Sequence, residues 1–292
     1  MMIAERATLT TGYVTADLHL PYCLPAPDAS HLLPGGWTTS PPRQNTGIHL
    51  SVEITDGPGH IHVTDEQVAL ALTAEAARST ALAFTTYTAL ERARQLRRMV
   101  TVHATAITRH RQAVLILGHK AAGKTTTALA LARRGWMHAG DDLVVLGEAG
   151  HELLVMPGKP TAAVRPAATD AFYQPKPVVD LRDAFETEPS AVALVVRVAV
   201  HPNSQTLVAP ATPFSTAELL RLHENLARYI TGLPTPINGL TGTPVATTWP
   251  LDTPQCATWR AELIRALERS RYVYLHAPTA EAAADLIEGL MP

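Results

Sequence analysis

The chain has 292 residues, a formal net charge of −2 and 46% hydrophobic residues. That is enough apolar material for one large or two modest cores, and the near-neutral balance argues against general nucleic-acid or membrane-surface binding. Its two cysteines, Cys23 and Cys256, make no disulfide framework, the N-terminus carries no basic-then-apolar signal, and no apolar run reaches membrane-spanning length, so a cytoplasmic protein is expected.

Residues 1–64 read as β-rich. Short apolar runs (Tyr13–Val14, Leu18–Leu20, Ile48–Val52 and Ile61–Val63) are separated by proline and glycine clusters. His60 and His62 flank Ile61 at strand spacing, which offers either a metal-binding pair or an exposed strand face. From Thr64 the pattern reads as helical, with acid in the first turn and Val68, Leu70, Leu72, Ala76 and Ala77 continuing it. A second helical pattern runs from about Thr80 to Arg98. The arginines at its end (92, 94, 97 and 98) either complement the helix dipole or form a docking patch for an acidic partner.

Met99–Ile107 reads as an alternating strand holding His103. The next segment carries the chemistry. Ala113–Leu117 is a short apolar run, and Gly118, Gly123, Lys124 and Thr125 fit G-x-x-x-x-G-K-[ST]. Glycines let the main chain curl so that several N–H groups face one oxyanion, and the N-terminus of the following helix adds positive potential. Lys124 suits the β/γ-phosphates, and the Thr125 hydroxyl suits Mg²⁺. The expected nucleotide-binding set is Gly118, His119, Lys120, Ala121, Ala122, Gly123, Lys124, Thr125 and Thr126. Lys120 either touches the γ-phosphate or projects into solvent, and Ala121 restricts a loop position that glycine would free. Asp141 and Asp142 follow soon after the helix, before the apolar run Leu143–Leu146. Adjacent strand residues face opposite ways unless a turn brings both to one place. Paired there, one carboxylate serves a metal and the other an incoming hydroxyl.

Further on, the sequence predicts a hairpin around Glu148–Gly150 with a strand over Leu153–Met156. Arg165 is a candidate transition-state cation, because arginine stays charged and binds phosphate bidentately, and Lys159 is a second. Asp170–Glu188 is a polar, proline-punctuated loop in which Lys176 and Arg182 are possible acceptor contacts. Ala191–Val200 reads as a central strand. Ser215–Arg228 reads as a helix opened by Ser-Thr-Ala-Glu, with Leu219, Leu220, Leu222 and Leu226 on its apolar side. Thr231–Pro254 reads as a long loop suited to recognition. A helix (Ala257–Arg269), a strand (Tyr272–His276) and a closing helix (Thr279–Leu290) complete the chain.

The order His103, strand, phosphate loop, helix, Arg-Gly, then Asp-Asp before a strand resembles the catalytic domain of HPr kinase/phosphorylase, whose fold is shared with ATP-dependent phosphoenolpyruvate carboxykinase. The whole chain looks like the HPr-kinase-like proteins of bacterial peptide-modification clusters. Thr101–Leu146 carries most of the likeness, with Met156–Pro160 and Arg165-Pro166 adding to it. The resemblance implies an α/β nucleotide-binding domain of HPr kinase type over residues 98–292, after a β-rich domain with helices over 1–97. It implies a site role for His103. It also implies that Asp142 joins Thr125 in holding Mg²⁺ while Asp141 takes the acceptor proton, a division that is open to reversal.

The expected activity is therefore ATP- and Mg²⁺-dependent transfer of a phosphoryl group to a hydroxyl, with Asp141, Lys124, His103 and Arg165 as catalytic residues. By resemblance the acceptor is a serine of a peptide or protein, and a homo-oligomer is plausible on the same ground. A small-molecule kinase and a nucleotide-binding regulator without transfer activity are the alternatives.

Overall fold

The computed structural model describes residues 5–11, 14–20, 38–40, 48–57, 59–64, 66–78, 80–158, 160–164, 177–231 and 251–291. The chain is a mixed α/β protein that divides into two compact units, Met1–Val100 with Leu226–Arg260, and Thr101–Asn225 with Ala261–Pro292.

In the first unit, β1 (Glu5–Thr11), β2 (Val14–Leu20), β3 (Thr38–Ser40), β4 (His49–Ile54), β5 (His60–Val63) and β6 (Gln67–Leu72) form a sheet ordered β3-β1-β2-β4-β6-β5. Strand alternation puts Leu18, Leu20, Leu50, Val52, Val68, Leu70 and Leu72 in one core. Ala76 of α1 (Ala74–Arg78) and Leu90 of α2 (Thr80–Leu96) join it. His60 and His62 share the other, exposed side of β5.

Two expectations need correction here. Residues 67–72 are a strand, although the sequence reads as helical from Thr64. The capping-type bond does form: the Gln67 N–H donates to Thr64 Oγ1 at 3.0 Å. However, the Thr64 N–H also donates to the Gln67 carbonyl at 2.8 Å, and the pair closes a β5–β6 hairpin with Val63 opposite Val68. Val68, Leu70 and Leu72 then follow the two-residue period of a half-buried strand. The arginine cluster is likewise no docking patch as a whole. Arg94 is buried with Glu91 at 3.1 Å and Tyr87 at 3.3 Å, and buried Arg92 donates to the Leu251 carbonyl at 2.8 Å. Guanidinium groups buried and bonded inside the fold are not offered to a partner.

The second unit holds β7 (Met99–Val102), β8 (Thr105–Arg109), β9 (Gln112–Leu117), α3 (Lys124–Ala132), β10 (Met137–Gly140), β11 (Val144–Ala149), β12 (Glu152–Met156), β13 (Thr161–Ala163), β14 (Val178–Asp180), β15 (Ser190–Val200), β16 (Leu207–Pro210), α4 (Thr216–Ala227), β17 (Tyr272–Ala277) and α6 (Ala280–Leu290), with α5 (Pro254–Arg269) running into it. Among the described residues, nine strands form one sheet. Its path is β10-β8-β9-β15-β12-β11-β7, with β17 also pairing with β15 and β16 with β17. Strand β15 is parallel to both β9 and β17. Val114, Ile116, Val196, Val198 and Leu275 pack with Leu131 of α3 and Ile287 of α6.

Arg197, Tyr272 and Tyr274 alternate with these residues and so face the other side. There the buried Glu218 of α4 accepts from Arg197, and from the Tyr272 and Tyr274 hydroxyls at 2.5 and 3.2 Å. Leu222 and Leu226 of α4 are buried, but Leu220 is 65% exposed, two positions off their stripe, against its expected place on the apolar side. No helix among the described residues is long and apolar enough to cross a membrane.

Candidate functional site

The site grows from the carboxyl end of β9, the edge at which open α/β sheets receive ligands. β9 is buried from Ala113 to Leu117, and its chain turns at Gly118 into a loop that ends in α3. Two glycines are required there by contact with β15. A Cβ on Gly118 would lie 2.9 Å from the Val198 carbonyl oxygen, and one on Gly123, at φ 92°, would lie 2.7 Å from the Val200 side chain. The Val200 N–H donates to the Ala122 carbonyl at 3.0 Å, fastening the curl to the same strand. Ala121 adopts φ 66° without being glycine, a conformation that costs an L-residue about 1–2 kcal/mol. His119, Lys120 and Ala121 are exposed at the tip, with Lys120 in solvent.

Lys124 turns back into the curl. It is only 7% exposed, and its Nζ donates to the Gly118 and His119 carbonyls, both at 3.1 Å. Thr126 donates to the Gly123 carbonyl at 2.9 Å, closing the first turn of α3. Thr125 Oγ1 donates to Asp141 Oδ1 at 2.8 Å. Thr105, at the start of β8, donates to the same oxygen at 2.6 Å, and the Ala163 N–H donates to Oδ2 at 3.2 Å. Asp141 is thus buried, at 2% exposure, within three donors. Burial pushes its carboxyl above the usual carboxylate range and neighbouring Asp142 adds to this, while the three donors pull it back.

Asp142 differs from its neighbour. The Leu143 N–H donates to the Asp141 carbonyl at 2.7 Å, a three-residue turn with Asp142 at its centre at φ 60°. This turn lets two consecutive carboxylates avoid the opposed directions of a regular strand. Asp142 Oδ1 lies 3.7 Å from His103 Nε2, and the two side chains are 24% and 25% exposed. His103 is not inside one long strand, as the alternation of residues 99–107 suggests. β7 ends at Val102 and β8 starts at Thr105, so His103 occupies the corner between them. Its N–H donates to Asn225 Oδ1 of α4 at 2.9 Å.

The carboxylate beside the Thr125 hydroxyl is therefore that of Asp141, and the one beside His103 is that of Asp142. Arg165 lies outside the described residues, as do Lys159 and Lys176. Most of the expected recognition loop, 232–250, lies outside them too. Arg182 is engaged with Asp180 at 2.8 Å. Thr105, Ala163 and Asn225 escaped the sequence reading: the first two contribute through tertiary contact alone, and Asn225 lies in an ordinary amphipathic helix.

One buried group on the strand leading to Asp141 sets a pH dependence. His138 of β10 is 1% exposed, and neither ring nitrogen has a hydrogen-bond partner among the described residues. Burial lowers its pKa from 6.5 to about 4. Because the folded state resists protonation, His138 leaves stability intact above pH 6.5. It removes stability as pH falls from 6.5 towards 4, with no further change below. The expected loss is about 3 kcal/mol. Denaturant midpoints of wild type and His138→Leu, compared from pH 7.5 to 4, measure it. The variant lacks this acid-side decline, and parallel curves for the two proteins would remove His138 as its cause.

No family model and no curated protein sequence matches the chain. Among solved structures, the Hpr(Ser) kinase/phosphatase from Coxiella burnetii matches 39% of this chain and 72% of its own, at 23% identity and a TM-score of 0.26. That is a distant structural likeness, and at so low a score it establishes neither a shared fold nor a shared activity.

Proposed function

We propose that the chain is an ATP- and Mg²⁺-dependent phosphotransferase with a P-loop domain of HPr kinase type, moving the γ-phosphoryl group of ATP to a hydroxyl acceptor. The observation that carries this reading is the Thr125 hydroxyl bonded at 2.8 Å to the buried Asp141 carboxylate, one residue after a lysine whose ammonium is seated in a glycine curl. On ATP binding, Lys124 exchanges the Gly118 and His119 carbonyls for β/γ-phosphate oxygens. Thr125 and Asp141 offer hard oxygen donors of the kind Mg²⁺ takes, with waters and phosphate oxygens completing its shell. Bound there, the ion supplies neutralisation of phosphate charge.

The roles expected for the two aspartates are exchanged in this reading. Asp141 is enclosed by three donors and too buried to meet an acceptor, whereas Asp142 is partly exposed beside His103. As the acceptor oxygen bonds to the γ-phosphorus, the bond to the β,γ-bridging oxygen breaks. ADP leaves with that electron pair, and the hydroxyl proton passes to Asp142. Arg165 keeps its proposed part as a charge-stabilising cation. The acceptor proposed first is a serine of a peptide or protein, with a small-molecule alcohol second.

The test is incubation with ATP, Mg²⁺ and either serine-containing peptides or small alcohols, read as a mass gain of one phosphate, alongside calorimetry of nucleotide binding. Lys124→Ala is expected to weaken ATP binding at least about tenfold, the scale of one lost charge-assisted hydrogen bond. Unchanged affinity would remove the loop from the reading. Tight binding with no transfer to any acceptor would make the chain a nucleotide-responsive regulator instead.

A further inference from the structure

We infer that Asn225 is a positioning residue that sets the His103 imidazole against Asp142. This rests on the phosphotransferase reading for its consequence, though not for its geometry. His103 occupies the corner between β7 and β8, where the chain leaves one strand before entering the next. Main-chain groups at such a break lack ladder partners and must be satisfied otherwise. A carboxamide supplies one acceptor and two donors, the complement of a peptide group. Asn225 Oδ1 accepts the His103 N–H at 2.9 Å, and its Nδ2 approaches the His103 carbonyl at 3.5 Å.

The carrier of that carboxamide is itself fixed. Glu218, Leu222 and Asn225 lie at i, i+4 and i+7 and so share one face of α4. Glu218 is fully buried against Arg197 and Tyr272, and Leu222 is buried as well. The helix is thus anchored to the sheet two turns before it reaches the corner. With the corner held, the imidazole stays 3.7 Å from Asp142. Without it, the corner is free to shift, and a displacement of about 1 Å at a reacting group costs up to about 10²-fold in rate.

The experiment is a double-mutant cycle with Asn225→Leu, which has a similar branched shape and a higher helix propensity, so α4 is not weakened locally, while both polar atoms are removed. In the wild-type background it is expected to lower kcat about tenfold, with KM for ATP within about twofold. In a His103→Ala background it is expected to add no further loss, because the group it positions is gone. An equal loss in both backgrounds, or a parallel fall in ATP affinity and thermal stability, would make Asn225 a structural residue only.

A second readout does not depend on activity. Hydrogen exchange at the His103 amide rises at least about tenfold in Asn225→Leu, the scale of one lost hydrogen bond, while amides within α3 keep their protection. If wild type transfers no phosphate, the kinase reading falls alone, and the exchange result still tests whether Asn225 holds the corner at His103. Unchanged exchange at His103 would overturn the inference outright.

Discussion

Asp142→Asn is expected to lower phosphoryl transfer by about 10²-fold or more while leaving ATP and Mg²⁺ affinity near wild type. The substitution isolates chemistry from folding, because asparagine is among the few residues that tolerate the left-handed φ of 60° found at position 142. It keeps the turn and the contact with His103 but removes the basic oxygen. Asp141→Asn makes the opposite kind of change. Its amide nitrogen must face either the hydroxyls of Thr105 and Thr125 or the Ala163 N–H. A donor set against the partly buried Ala163 N–H costs about 1–3 kcal/mol of stability. The oxygen donor proposed for Mg²⁺ is also weakened, so the Mg²⁺ concentration for half-maximal transfer should rise at least about tenfold. Steady-state kinetics over Mg²⁺ concentration separates the two. If Asp142→Asn shifts the Mg²⁺ requirement and Asp141→Asn does not, the roles revert to the order the resemblance implies.

Glu218→Ala is expected to destabilise the second unit by about 3–5 kcal/mol, the largest stability effect of any single substitution considered. Glu218 is fully buried and is the acceptor for Arg197 and for the hydroxyls of Tyr272 and Tyr274. Burial raises the Tyr272 phenol well above its ordinary pKa, so it remains a donor to the carboxylate across the accessible pH range. Removing Glu218 leaves the Arg197 guanidinium without its carboxylate in a poorly solvated place. Most of the cost comes from that stranded charge rather than from the attraction lost. The double variant Glu218→Leu, Arg197→Met should therefore be more stable than Glu218→Ala. Denaturant unfolding of both tests this. A Glu218→Ala midpoint equal to wild type would show that solvent reaches Arg197 and that the network contributes little.

Residues 215–218 illustrate how far local signals go. Ser-Thr-Ala-Glu announces a helix start, and Ser215 does cap it, accepting the Glu218 N–H at 3.2 Å. The reciprocal half of a capping box is absent among the described contacts of Glu218, because its carboxylate is taken by Arg197 and two tyrosines. Thr64 is similar. Its hydroxyl makes the bond expected of a helix cap, yet β4 and β5 take up residues 67–72 as a strand between them. A short apolar stretch takes the period of whatever partner its backbone finds.

What the sequence determined alone is local and covalent: a buried strand ending in Gly118, a glycine-bounded loop, a helix opening on Lys124 and Thr125, and two consecutive aspartates downstream. Spacing and backbone freedom suffice for these, since each depends on residues within a few positions of one another. Which carboxylate reaches Thr125, where His103 stands and what holds it there were left to tertiary structure. Those answers depend on a turn at Asp142 and on β8, β13 and α4, whose residues lie 22–122 positions from the groups they touch. No pattern along the chain encodes a hydrogen bond across such a separation; it exists only once the strands and helices have packed.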